Sequence, residues 1–159
     1  MTRAPSQSLR LLGLLLLLFP PARHAFTQHP LPMSPTLTGI PYTISYLSDP
    51  KIGNGHFQLA NPGAEALEVR IEHATLHLAD EAALLHPVHI FDRAKGTARD
   101  EVPLVLAAGD TLDFSLSFAP VAFTSHRMSP VVVALSMRVG ADTLSARCEI
   151  TMEQRIPRR

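Results

Sequence analysis

From Thr111 to Phe118 the chain reads T-L-D-F-S-L-S-F, and Leu112, Phe114, Leu116 and Phe118 alternate with polar residues without exception. Successive side chains of a strand point to opposite faces, so this period of two predicts a strand with one dry and one wet face. Ala107-Ala108-Gly109-Asp110 supplies a turn before it, and Val102, Leu104 and Leu106 keep the same period upstream. A sheet that buries one face needs a second layer. Other stretches offer strands of the same kind, so the expectation is a sandwich of antiparallel sheets.

Those strands can be placed in order. Tyr42–Tyr46 alternates, and His56–Ala60 follows a Gly- and Pro-bearing loop and ends at the turn Asn61-Pro62-Gly63. Leu67, Val69 and Ile71 alternate with charged residues, and then the parity slips at His73-Ala74 onto Ala74, Leu76 and Leu78. One inserted residue does that in a β-bulge. A helix over Glu65–Leu85 is the rival, but it would strand Val69 and Leu76 on its wet face, so strand is preferred. Asp80 followed by Glu81–Leu85 predicts an N-cap and one helical turn, halted by Pro87. Val88–Phe91 reads as a short strand, Asp92–Glu101 as a charged loop, and Ala119–Pro130 as a longer connection. The clearest hairpin closes the chain: Val131, Val133, Leu135, Met137 and Val139 lead through Gly140-Ala141-Asp142 to Leu144, Ala146, Cys148, Ile150 and Met152. That makes about seven to eight strands.

The domain is preceded by a different kind of segment. Arg3 and Arg10 precede an apolar run of nine residues, Leu11–Phe19, which Pro20-Pro21 break. The run is too short to cross a bilayer core of ~30 Å as a helix and suits a secretory signal. Residues 1–25 are therefore read as a signal peptide, with an uncleaved anchor or a wrongly assigned start as the alternatives. Residues 26–41 carry Pro30, Pro32 and Pro35 and read as a proline-rich linker or an arm along the domain, 42–153 as the sandwich, and 154–159 as a basic tail. Without residues 1–25 the chain keeps 11 basic residues (14 less Arg3, Arg10 and Arg23) against 14 acidic, a net charge of −3. A mildly acidic chain argues against nucleic acid as the partner, and no membrane span is expected in the mature chain.

Cys148 is the only cysteine, so no intramolecular disulfide forms, and its parity makes it a small core hydrophobe. No nucleophile elbow, zincin helix, phosphate loop or dinucleotide fingerprint occurs; the chain is read as non-catalytic. Seven of the eight histidines lie beyond residue 25. On a strand His73 and His77 stand ~13 Å apart, too far for one ion. His86 and His89 share a turn and are the pair to test first.

The strand-turn-strand from Phe57 through Asn61-Pro62-Gly63 to Val69, and Leu106–Leu112 around Gly109-Asp110, resemble a pattern of extracytoplasmic bacterial immunoglobulin-like domains. With the final hairpin the resemblance covers residues 42–152. It implies an all-β, immunoglobulin-like antiparallel β-sandwich and is nearly silent on function; with the signal segment, the chain is read as a secreted or periplasmic module that binds another extracytoplasmic protein through a strand edge or end loops. His126-Arg127-Met128 is also similar to the H-x-M of small periplasmic copper chaperones, which bind Cu(I) through two His and two Met. That likeness implies a copper site of His126 and Met128 with one or more of His77, His86 and His89. Between His77 and Met128 there is no methionine, and Cu(I) favours thioether ligands, so the copper carrier stands second. Met137 and Met152 are expected in the core.

Overall fold

The computed structural model describes residues 33–47, 50–78, 81–99, 103–122 and 130–155. The segment read as a signal peptide, His29, His126 and Met128 lie outside them. Each alternating stretch of the sequence is a strand. In chain order these are β1 (Thr36–Gly39), β2 (Tyr42–Tyr46), β3 (Lys51–Ala60), β4 (Leu67–Leu78), β5 (Glu81–Leu84) and β6 (Val88–Asp92). They continue as β7 (Thr97–Arg99), β8 (Leu104–Leu106), β9 (Thr111–Ala122), β10 (Val131–Val139) and β11 (Asp142–Gln154). One sheet runs β1-β3-β9-β6-β7; the other runs β2-β11-β10-β4-β5, with β8 also paired to β4. Among the described residues all pairs are antiparallel except β2 with β11. The two sheets form an immunoglobulin-like β-sandwich.

The dry parity of each strand fills the space between the sheets. Phe114 and Leu116 of β9 and Phe57 and Leu59 of β3 are fully buried, and across from them lie Leu76, Val133, Met137, Cys148 and Ile150. Phe57 and Phe114 face each other in register and stack with ring centroids 5.7 Å apart, an arrangement worth ~0.5–1.5 kcal/mol beyond the area it buries. Met152 is only half-buried against this core, because β2, its partner here, is the edge of the sheet and covers little. The core position expected for it is corrected accordingly.

The bulge lies one residue before the slip read in the sequence. Against β10, His73 pairs with Ser136 and Ile71 with Met137, so Glu72 is the extra residue. It lets Val69, Ala74 and Leu76 all face the core. β4 is a strand throughout, and the helical rival is excluded.

Three strands go beyond the expected eight. β1 emerges from the stretch read as linker or arm and pairs with β3. β7 turns back on β6 through Gly96, whose φ of 67° is left-handed. β5 replaces the expected helical turn, since Glu81–Leu84 pair with Thr75–Leu78. A single turn fixes about six dihedrals for one hydrogen bond, whereas the open edge of β4 offers this segment several at once.

Candidate functional site: an interrupted strand edge over a cleft

β4 is longer than its partners on one side. Along one edge it is covered by β10 from Val69 to Leu78. Along the other, β8 covers Leu67–Val69 and β5 covers Thr75–Leu78. On that second edge, among the described residues, no strand pairs with Arg70–His73. The backbone groups of a strand point to alternate edges. The carbonyl of Glu68 accepts from Gly140 N on the β10 side at 2.8 Å, and that of Ala74 accepts from Leu85 N on the β5 side at 2.9 Å. Alternation from Glu68 therefore turns the N–H and C=O of Ile71 toward the gap.

The gap opens onto a cleft of about 850 Å³. Its walls are Val69–Ala74 of β4 and Leu84–Ile90 from β5 to β6, with Arg99 and Leu104 closing it. The chain leaves one sheet at β5 and enters the other at β6, so the cleft sits where the sandwich is bridged by connections instead of strands. Its floor is aliphatic: Ile71 and Val88 are half-buried, Leu85, Ile90 and Leu104 are buried, and Leu84 at the rim is 70% exposed.

The fixed charges around it are paired. Arg70 lies 3.5 Å from Glu68, both well exposed. Arg99 reaches the buried Asp92 at 3.4 Å. Glu72 is held from the outer face by Arg138 at 2.9 Å, with Ser136 and Thr143 within 3.4 and 3.5 Å. The bulge thus spends its extra side chain on tying β4 to β10 and β11.

His86 and His89 line this cleft together with His73, while His77 bonds Thr75 Oγ1 at 2.9 Å and is not on the lining. The candidate metal ligands are therefore split. Among the described residues no three His, Cys, Asp or Glu side chains are placed to hold one ion.

Two sets of polar contacts that the sequence reading did not reveal anchor the frame. Asn61, 1% exposed, donates from Nδ2 to the carbonyls of Glu65 (2.8 Å) and Ala107 (2.9 Å) and accepts at Oδ1 from Gly63 N. One amide so locks the turn after β3 to the turn before β9. The second is an inter-sheet cluster beside the switch from β1 to β2. Tyr42 stacks on His56 at 4.2 Å and donates to Asn54 Oδ1 at 2.6 Å. Cys148 Sγ accepts from His56 N at 3.3 Å and donates to Ile40 O at 3.2 Å. Burial raises the Tyr42 hydroxyl, with Cys148 adding to it. Burial also raises the Cys148 thiol, against the His56 N–H that lowers it, and depresses the His56 imidazole, helped by Arg93.

No model of a protein family and no curated protein matches the chain. Solved structures do. The ASH / PapD-like domain of human CEP192 (PapD-like domain 7) is 7% identical, with a TM-score of 0.42 over 80% of this chain and 89% of that one. The Vibrio cholerae VesB protease is 13% identical, with a TM-score of 0.37 over 76% of this chain and 31% of that one. Among the described residues no helix is long and apolar enough to cross a membrane.

Proposed function

We propose that this protein is a non-catalytic, extracytoplasmic binding module that takes an extended segment of another envelope protein along the open edge of β4. The observation that carries this reading is the interruption at Arg70–His73 among the described strands, where alternation turns the backbone groups of Ile71 to a largely aliphatic cleft. An open strand edge is a template for another chain, and strand addition is the association that uses it. The reading of Leu11–Phe19 as the core of a secretory signal supports a location outside the cytoplasm.

Two measurements test it. The mature N-terminus of protein recovered from the cell envelope should lie near residue 26; an intact Met1 in a cytoplasmic fraction would sink the location. Hydrogen exchange in a complex with the partner should slow at Ile71 and its neighbours. Protection confined to β2 or β7 would place the docking edge elsewhere and overturn the reading.

A further inference from the structure

We infer that the crossover from β1 to β2 is an acid-sensitive latch whose trigger is His56. β1 leaves β3 at Gly39, opposite Phe57, and β2 begins three residues later in the other sheet. Beyond Phe57 the same edge of β3 is held by single groups from the crossover and from β11. The His56 carbonyl accepts from Ile40 N at 2.8 Å, and His56 N donates to Cys148 Sγ at 3.3 Å. Cys148 in turn donates to the Ile40 carbonyl at 3.2 Å. The Tyr42 hydroxyl reaches both oxygens of Asn54, at 2.6 and 2.8 Å, and the Tyr42 ring stacks on the His56 imidazole at 4.2 Å. Ile40, Tyr42 and Cys148 thus converge on one residue, and its side chain is the type that titrates near neutral pH.

The surroundings of the ring oppose a positive charge. His56 is half-buried against Tyr42, and a ring shielded from water loses hydration that its cation needs. Arg93, just after β6, adds repulsion of like charge; burial first, then Arg93, lowers the imidazole from 6.5. β2 contributes Tyr42, and β11 contributes Cys148 with Glu149, whose charge acts on the thiol. On β9 the cross-strand partner is the neutral Ser115, and Asp113 beyond it is engaged by Gln58 at 3.0 Å. The stacked ring therefore resists a proton that the same ring accepts in water. Stability from the closed latch is complete above pH 6.5 and is lost as pH falls through the lowered value. The loss is local, since opening draws first on sparsely held elements, and β1 and β2 are end strands of four and five residues.

The test is amide exchange of the purified protein, residue by residue, at about pH 5 and about pH 8. Rates are corrected for the intrinsic pH dependence of exchange. Protection of Ile40, of Tyr42–Tyr46 and of His56 should fall about tenfold more in acid than that of Leu112–Phe118. His56→Phe keeps a ring against Tyr42 and has no proton to gain, so this difference should vanish. Arg93→Gln lies on an exposed side chain and removes the repulsion, so the loss in acid should shrink. It keeps the test decisive if His56→Phe does not fold.

Unchanged protection of the crossover in acid overturns the latch. A loss that persists in full in His56→Phe, or that Arg93→Gln leaves as large as before, overturns His56 as its trigger. Equal losses at the crossover and at Leu112–Phe118 also overturn the inference, because the whole domain then yields to acid at once. None of these outcomes bears on strand addition at β4, which is read from a different edge.

Discussion

At the scale of single residues, the side chains that matter most for the frame are polar, and this is why the alternation of apolar residues did not reveal them. Asn61 reads in the sequence as a turn residue and nothing more. Its role depends on Ala107, which lies 46 positions away. Asn61→Ala should destabilise the domain by about 2–4 kcal/mol, since it leaves buried carbonyls without donors. Asn61→Asp should be worse at neutral pH, because it turns a carboxylate toward those same oxygens; urea unfolding would show either. Gly39 is equally illegible. A Cβ there would collide with the Arg147 carbonyl, a close approach that exists only once β1 has folded against β11. The Tyr42, His56 and Cys148 cluster imposes a pH dependence of known sign. Tyr42 and Cys148 are raised above ordinary values near 10 and 9, so the folded state holds their protons longer than the unfolded chain does. The stability this provides is complete below pH 9 and is lost as pH rises beyond it. His56 is lowered from 6.5, so its contribution is complete above that value and falls in acid. Unfolding free energy should form a plateau between these limits. In Cys148→Ser the alkaline limb should begin nearer pH 10, at a cost of roughly 1 kcal/mol, because both hydrogen-bond partners of the thiol suit a hydroxyl. A limb that does not move would mean that the thiol is not part of it.

At the scale of elements, legibility follows burial. β3, β4, β9, β10 and β11 carry the core residues, and their period of two is visible because a core demands it. β1, β5 and β7 sit at sheet edges and run for three or four residues. All four residues of β5 are exposed, so no period exists to read, and the charged Glu81 after Asp80 imitates a helix start. Its state is decided by the unpaired edge of β4, which is a fact about another segment. The candidate site was half legible for the same reason. The bulge appears in the sequence as a parity slip, but the gap beside it depends on how far β5 and β8 reach. One-sided burial of β9 makes a direct test. Phe114→Ala should cost about 3–5 kcal/mol through the cavity it opens against Phe57, while Ser115→Ala should stay within ~0.5 kcal/mol. Similar losses at both positions would mean that β9 does not separate a dry face from a wet one.

At the scale of the whole molecule, the placement of the histidines bears on the copper reading. His86 and His89 share the cleft, His77 is not on its lining, and His126 with Met128 lies outside the described residues. Titration of the mature protein with Cu(I) against a competing chelator should show no tight one-to-one site, as a thioether-poor donor set implies. A stoichiometric complex abolished by His126→Ala with Met128→Ala would contradict this. The topology has a further consequence at the two ends of the fold. Among the described strands β2 and β11 are the one parallel pair, held through five positions from Tyr42↔Ile150 to Tyr46↔Gln154. Past β1, which pairs with β3, a pull on the ends of the fold draws β2 back from its start and β11 forward from its finish. Strands that run the same way then slide lengthwise, and their hydrogen bonds carry the load together instead of opening one after another. Forced unfolding is governed by the rate of that first rupture. The domain is therefore built to resist tension between its termini, a mechanical property set by strand direction and independent of whatever binds at β4.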